Sequence, residues 1–309
     1  MELLYMLEKI RVPVLNELML VITMLGEETA FLAIALIVFW CVDKKRGYLV
    51  MSVGFVGTIA NQFLKLLCRV PRPWVLDENF TVVGNAKEAA GGYSFPSGHS
   101  QNAVGTLCAV ALTDKKHWLR AVCIIFAVLV PFSRMYLGVH TLADVAVGSG
   151  MALAMVFGLY FVIYKCGDKG MRILIAVMTA MAFGLLAYVE LYPFPDDVDV
   201  HNLESGVKNA YTMIGCLLGV AVVYEVEKRY IQFDTKAVWW AQLLKIVWGL
   251  AAVLLVKEGL RSPLEALFAG HMAARAVRYF LVVLVAGLAW PLTFRWFAGL
   301  GNRKEAYYE

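Results

Sequence analysis

Charge is what this 309-residue sequence has least of: Asp, Glu, Lys and Arg together make up 17% of it, against about 25% in an ordinary soluble domain. With 61% hydrophobic residues and a mean hydropathy of +0.68, that shortage excludes a soluble globular domain and implies a multi-spanning membrane protein. Cysteine is sparse and scattered. Cys41, Cys68, Cys108, Cys123, Cys166 and Cys216 form no CxxC pair, so spacing gives neither a disulfide framework nor a zinc site. No low-complexity stretch or internal repeat is visible, which removes support for an inverted-repeat transporter. The net charge of +4 is small and spread over loops; it fits contact with anionic lipid headgroups and gives no case for nucleic acid. The N-terminal residues lack the design of a cleavable signal.

What is present is a succession of apolar runs. A bilayer core takes roughly 20 apolar helical residues to cross, and nine runs qualify as expected spans: Glu28 to Val42, Tyr48 to Cys68, Pro96 to Thr113, Leu119 to Leu137, Leu142 to Tyr164, Met171 to Tyr192, Val207 to Val226, Val238 to Val256 and Arg275 to Trp296. Nine spans put the two termini on opposite sides. Ahead of them, residues 1–26 mix apolar side chains with Glu2, Glu8, Lys9, Arg11 and Glu17, the pattern of a helix lying in the interface. Lys and Arg gather in alternate loops: Lys44, Lys45 and Arg46; Lys115, Lys116 and Arg120; Lys165, Lys169 and Arg172; Lys228, Arg229 and Lys236; then Arg295, Arg303 and Lys304. Positive charge marks the cytoplasmic side, so the long segment from Arg69 to Phe95 is expected to face outward.

Three polar clusters fall at the outer span ends, where ionisable groups are costly and tend to be functional. The first is Lys65 through Arg72 and Pro73, with Gly54, Thr58, Asn61 and Lys65 forming one small and polar helix stripe. Pro71 and Pro73 stop the helix around Arg72. The second is Pro96-Ser97-Gly98-His99, in which a proline opens a helix whose first-turn N–H groups make an anion site; Gly98 lets an anion approach the backbone, and His99 follows. The third runs from Ser133 and Arg134 to His140 and Asp144. The last two are four apart on one helix face that continues with Gly148 and Ala152. An Asp can hold an imidazole by its Nδ1–H and leave Nε2 free as a nucleophile or base.

Each cluster taken alone also has a bland reading: snorkelling basic side chains, a capped helix with an interfacial histidine, or a satisfied buried ion pair. Their convergence on one side is what those readings do not require. Three cations, a helix N-terminus and two histidines, one with a carboxylate partner, are the parts needed for phosphoryl transfer.

In order along the chain, the segments Lys65 to Pro73, Pro96 to His99 and Ser133 to Asp144 resemble the three signature motifs of the phosphatidic acid phosphatase type 2 superfamily. The resemblance implies an all-α integral membrane protein with a six-span phosphatase core over residues 27–193; the three further spans over 194–309 form an extension of unassigned role, beyond the point where the resemblance runs out. It implies His140 as the nucleophile that forms a phosphohistidine, Asp144 as its orienting partner and His99 as the acid and then the base. Lys65, Arg72, Arg134, Ser97 and Gly98 would bind phosphate, with no metal or other cofactor. The expected substrate is a lipid phosphomonoester or lipid pyrophosphate in the plasma (inner) membrane, with membrane lipids as the remaining partners. A phosphotransferase sharing the same intermediate is the rival reading, and a transporter or non-catalytic lipid binder is a more distant one. The segment from Trp74 to Gly92, with Gly91 and Gly92 as a hinge, is expected to serve as a lid. In the extension, Arg261, Glu265, His271, Arg275 and Arg278 form no constellation and read as packing and snorkelling groups.

Overall fold

The computed structural model describes residues 1–90 and 92–300. Gly91 of the expected hinge, together with Arg303 and Lys304, lies outside the described residues. Those described are helical, with no strand among them: α1 (Glu2–Lys9), α2 (Pro13–Thr23), α3 (Glu28–Cys41), α4 (Lys44–Cys68), α5 (Pro73–Leu76), α6 (Ala86–Ala89), α7 (Gly98–Thr113), α8 (His117–Tyr136), α9 (Leu142–Lys165), α10 (Gly167–Leu191), α11 (Val200–Val226), α12 (Trp239–Gly259), α13 (Arg261–Leu267), α14 (Ala273–Leu284) and α15 (Phe294–Gly299). Side chains that stop the orphan N–H groups of a helix start define several of these ends. Asp43 caps α4, Ser97 caps α7, Asp199 caps α11, and Thr141 with Asp144 forms a reciprocal capping box on α9.

Among the described residues seven stretches are long and apolar enough to cross a membrane: Lys44–Leu76, His117–Tyr136, Leu142–Lys165, Gly167–Leu191, Val200–Ile231, Trp239–Leu267 and Ala273–Gly299. The expected first and third spans are not among them. Helix α3 has 14 residues and qualifies only together with Pro13–Gly26, from which it is bent by 54°. Helix α7 has 16 residues, about 24 Å at 1.5 Å per residue, and its first turns carry His99, Ser100, Gln101 and Asn102. It packs against α3, α4, α8 and α9, so protein replaces lipid around it and the sequence need not be apolar on every face. Both helices still join the two ends of the bundle. Gly26, just before α3, lies against His99, and Val42, just after it, accepts a hydrogen bond from Thr235. Helix α7 starts beside Asp144 and ends at Asp114, which pairs with Arg46 at 3.0 Å.

That Arg46 end collects the basic loops. Lys44 pairs with Glu227, Arg172 with Glu225, and Lys228 with Asp168. At the opposite end α1 and α2 fold over the segment after α4: Tyr5 donates to Asp77, Glu8 accepts from Thr81, and Arg11 donates to the Tyr136 carbonyl at 2.9 Å. Leu4 and Leu7 are buried there.

Helix α4 is central, touching α3, α7, α9, α10 and α11. Helix α11 is shared, packing on α4 and α10 on one side and on α14 on the other. Trp40 of α3 donates to the Ala286 carbonyl at 2.9 Å, and the fully buried Lys245 donates to Thr235 while its ammonium sits over the Phe294 ring. The extension is thereby fixed to the core at the basic end.

The α11–α14 contact depends on the absence of side chains. A Cβ on Gly215 would lie 2.1 Å from the Ala276 carbonyl oxygen, a backbone atom that cannot rotate away. Gly215→Val is expected to lower the unfolding midpoint in detergent by overpacking worth about 1–3 kcal/mol. Gly150→Ala, where nothing lies within 4 Å, is expected to be neutral or slightly stabilising; equal midpoints for the two variants would refute the close-packing account.

Candidate active site

The three clusters read from the sequence meet at the end of the bundle opposite the basic loops. Helix α4 brings Lys65 on its last turns and then breaks, with Arg69 in a left-handed conformation (φ 50°). After it Arg72 turns back into the protein and is 5% exposed. The α7 start supplies Ser97, Gly98 and His99. Its position is fixed by the Ser97 N–H donating to the Asp144 carbonyl at 3.0 Å and by Asn61 donating to the Pro96 carbonyl at 3.3 Å. Gly148 of α9 permits this approach, since a Cβ there would meet the Ser97 carbonyl oxygen at 2.6 Å. Arg134 comes from the last turn of α8, and His140 and Asp144 from the α8–α9 turn and the first turn of α9.

Arg72 organises this end. It donates to the carbonyls of Gly92 and Val139 at 2.9 Å each, and its NH1 group lies 2.9 Å from His140 Nε2. Lys65 donates to the Tyr93 carbonyl at 2.8 Å, and Arg134 to Thr23 Oγ1 at 2.8 Å. The Arg134 Nε has no partner among the described residues. His99 makes no hydrogen bond among them either, so its ring is available to a ligand.

The His140–Asp144 relation differs from the expected direct hydrogen bond. Nδ1 and Oδ2 are 3.6 Å apart, and Ser94 stands between them: its hydroxyl donates to Asp144 Oδ2 at 2.6 Å and lies 3.3 Å from His140 Nδ1. Asp144 Oδ2 also accepts the Thr141 N–H at 2.7 Å as part of the capping box. The hydrogen-bond directions then define the tautomer. Ser94 spends its proton on Asp144 and so accepts from His140 Nδ1–H, while Nε2 keeps a lone pair facing the Arg72 guanidinium.

His140 lies in the connection between two spans. Burial, with Arg72, Arg134 and Lys65 around it, holds its imidazole well below the ordinary histidine range and therefore neutral, the form with a nucleophilic nitrogen. Among the described residues no three His, Cys, Asp or Glu side chains gather as metal ligands.

Comparison with known proteins follows the same segments. The PAP2 superfamily pattern matches residues 45–168, and that of the PAP2 superfamily phosphatase transmembrane extension matches residues 211–303. Phosphatidylglycerophosphatase B of Bacillus subtilis (strain 168) is 32% identical over 161 residues, covering 48% of this chain and 75% of the relative. The chain belongs to the PAP2 superfamily. Undecaprenyl-diphosphatase BcrC of the same organism is 30% identical over 154 residues (48% of this chain, 74% of the relative), and the undecaprenyl-diphosphatase of Sulfolobus acidocaldarius is 30% identical over 139 residues (45% and 66%). No solved structure matches. The enzyme class expected from the sequence, a phosphoric ester or pyrophosphate hydrolase, is that of this superfamily.

All eight residues named from the sequence lie within the PAP2 match, and the structure brings them to one end of the bundle. Gly98 is not a packing requirement, because a Cβ there would make only ordinary contact with Asn61 at 3.6 Å; its bareness leaves the backbone open to a ligand. Sequence reasoning passed over Ser94 and Thr23. Ser94 stands two residues ahead of the Pro96-Ser97-Gly98-His99 cluster and carries no signal of its own. Thr23 belongs to a helix read only as interfacial.

Two outcomes follow from this geometry. Ser94→Ala removes a hydrogen bond to a buried carboxylate, an interaction worth about 1.5–3 kcal/mol, and is expected to lower kcat/KM on a lipid phosphate by roughly tenfold to a hundredfold while the protein stays folded; unchanged kinetics would remove Ser94 from the site. The second concerns pH. The unfolded histidine titrates near 6.5 and the folded His140 below it, so just below pH 6.5 the unfolded chain binds more protons and stability falls as pH falls, with a slope of at most about 1.4 kcal/mol per unit from this group. His140→Gln is expected to flatten that slope in thermal unfolding measured across the window.

Proposed function

We propose that this PAP2 protein hydrolyses a phosphomonoester or pyrophosphate carried on a membrane lipid, through a phosphohistidine on His140. The observation that carries the reading is the double engagement of His140: its Nδ1 side is held through Ser94 to Asp144, and Nε2 faces Arg72, one of three cations gathered at this end of the bundle. A phosphoryl group entering between Arg72, Lys65 and Arg134 exchanges their present carbonyl and hydroxyl partners for anionic oxygens, the stronger kind of hydrogen bond. The α7 amides and Ser97 take the remaining oxygen.

In the first step the Nε2 lone pair forms the P–N bond, the P–O bond to the lipid breaks, and His99 gives its proton to the departing oxygen. Asp144 balances the charge that His140 gains. In the second step His99 takes a proton from water, the hydroxide oxygen bonds to phosphorus, the P–N bond breaks, and inorganic phosphate leaves. The lipid as substrate is supported by the site's position at a span end and by the printed names of the relatives, which act on phosphatidylglycerophosphate and undecaprenyl diphosphate. An extracytoplasmic active site in the plasma membrane is supported by the basic loops at the opposite end.

Purified protein with a chelator present is expected to release phosphate from at least one member of a panel containing phosphatidic acid, phosphatidylglycerophosphate, a polyprenyl diphosphate, a sphingoid phosphate and a soluble sugar phosphate. His140→Ala should lose at least about a thousandfold, and vanadate should inhibit. Phosphate release untouched by His140→Ala would overturn the mechanism, and label recovered on an acceptor rather than as free phosphate would make the protein a transferase.

A further inference from the structure

Arg278 has no place in that chemistry. It lies in Ala273–Gly299, one of the seven stretches fit to cross a membrane, yet it is 6% exposed. Its Nε has no hydrogen-bond partner, and neither Arg278 nor Arg275 has an ion pair, among the described residues. The acids of the neighbouring α12–α13 hairpin are engaged elsewhere: Glu258 with Lys257 at 3.5 Å and Glu265 with Arg261 at 3.3 Å, both carboxylate side chains being more than half exposed (60% and 54%). Arg275, three residues earlier, donates from Nε to Thr212 at 2.7 Å and presents its terminal nitrogens without partners among the described residues. The two guanidinium groups lie 5.5 and 5.4 Å from the Tyr279 ring centre. An aromatic face offsets part of the cost of a buried cation, but a guanidinium at membrane depth still calls for an anion.

The direction in which Arg278 points narrows the choice. Helix α14 meets α11 through Ala276, Phe280 and Val283, which crowd Gly215 and Gly219. At about 100° per residue Arg278 lies on the face of α14 away from α11, and α12 and α13 also pack on α14. On that side an apolar cleft of about 650 Å³ runs between α12 and α14, lined by Val256, Gly259 and Leu260 on one wall and Leu281, Leu284 and Leu288 on the other. Leu281 is one turn beyond Arg278. At Leu255 this cleft meets a second of about 530 Å³ that continues toward Trp248 and Trp290. The two make one apolar channel down the helix pair; the arginines precede its α14 wall in the chain and do not line it. Protein covers little of Trp239–Leu267, whose apolar stretch is 22% buried, as is that of Leu142–Lys165, against 61% for Val200–Ile231.

We propose that the extension binds one anionic phospholipid, with its phosphate on Arg278 beside Arg275 and an acyl chain in the α12–α14 groove. A soluble anion would satisfy the arginine and leave the groove unused, and an uncharged lipid would do the reverse; a phospholipid meets both. The site stands apart from the phosphate pocket, which is built from α4, α7, α8 and α9 with α11 intervening, and it does not rest on the phosphatase reading. Of the packing and snorkelling expected for Arg278 from sequence, its burial at 6% exposure favours the first.

The test titrates the full chain, purified in nonionic detergent, with dioleoylphosphatidylglycerol and counts retained lipid by native mass spectrometry. One tightly held lipid is expected, with affinity reduced about tenfold or more by Arg278→Gln, largely kept by Arg278→Lys, and also reduced by Leu284→Trp, which obstructs the groove and leaves both arginines in place. Should Arg278→Gln not purify in folded form, Leu284→Trp alone decides. The His140→Ala protein should retain the lipid as wild type does. Retention unaffected by the groove and arginine variants, or lost only on His140→Ala, overturns the proposal. So does equal retention of diolein, which has no phosphate, or displacement by millimolar inorganic phosphate, which would mark a site for the free anion.

Discussion

Three cations held in the protein interior, with Asp144 acting on two of them and Glu27 on the third, are the constraint to which the rest of this structure answers. Lys65, Arg72 and Arg134 are tied in place almost wholly by neutral groups: the carbonyls of Gly92, Tyr93 and Val139 and the hydroxyl of Thr23. Dipoles of this kind fix direction without cancelling charge, so the pocket keeps an excess positive potential. At low effective dielectric that potential is worth far more to an incoming anion than the same charges would be in water. On the proposed function the geometry is preorganised for a phosphoryl group, and the carbonyl partners mark where the cations stand before it arrives.

Holding that arrangement dictates the helices around it. The α7 start has to lie against Asp144, which is why Gly148 faces the Ser97 carbonyl and Gly26 faces His99. A helix opening with five small or polar residues cannot meet lipid, so α7 is short and ringed by α3, α4, α8 and α9. The same capping box that starts α9 also fixes the Asp144 carboxylate, so a local folding signal and a site contact share one oxygen. Covering the pocket, α1 and α2 tie down the Asp77 to Thr81 segment and deliver Thr23 to Arg134.

How much of this the sequence discloses depends on whether a residue's role follows from spacing. The i, i+4 relation puts His140 and Asp144 on one face, and proline and glycine punctuation marks the helix break at Arg72 and the start at Ser97, so all eight site residues are legible. Spacing says nothing about the 3.6 Å gap that Ser94 bridges, since that depends on how the chain ahead of α7 docks on α9. Thr23 is hidden for the same reason: its partner is 111 residues away. Helices α3 and α7 fall short of a full apolar span by length and hydropathy, yet both join the two ends of the bundle, because protein covers faces that lipid would otherwise meet. For Arg278 the sequence leaves packing and snorkelling side by side, and only the fold shows the side chain to be buried.

Arg134 and Arg278 make the instructive comparison. Each is a buried arginine in a membrane-spanning stretch, and each has an Nε without a partner among the described residues. Around Arg134 stand two further cations, two histidines and a carboxylate, groups that bind an anion and then act on it. Around Arg278 stand one further arginine, a tyrosine ring and a groove of leucines, groups that bind an amphiphile and leave it intact. On the two proposals a buried guanidinium serves two different occupants, a phosphoryl group that must leave for turnover and a lipid that gains by staying. What separates them is the company each arginine keeps, not the arginine itself.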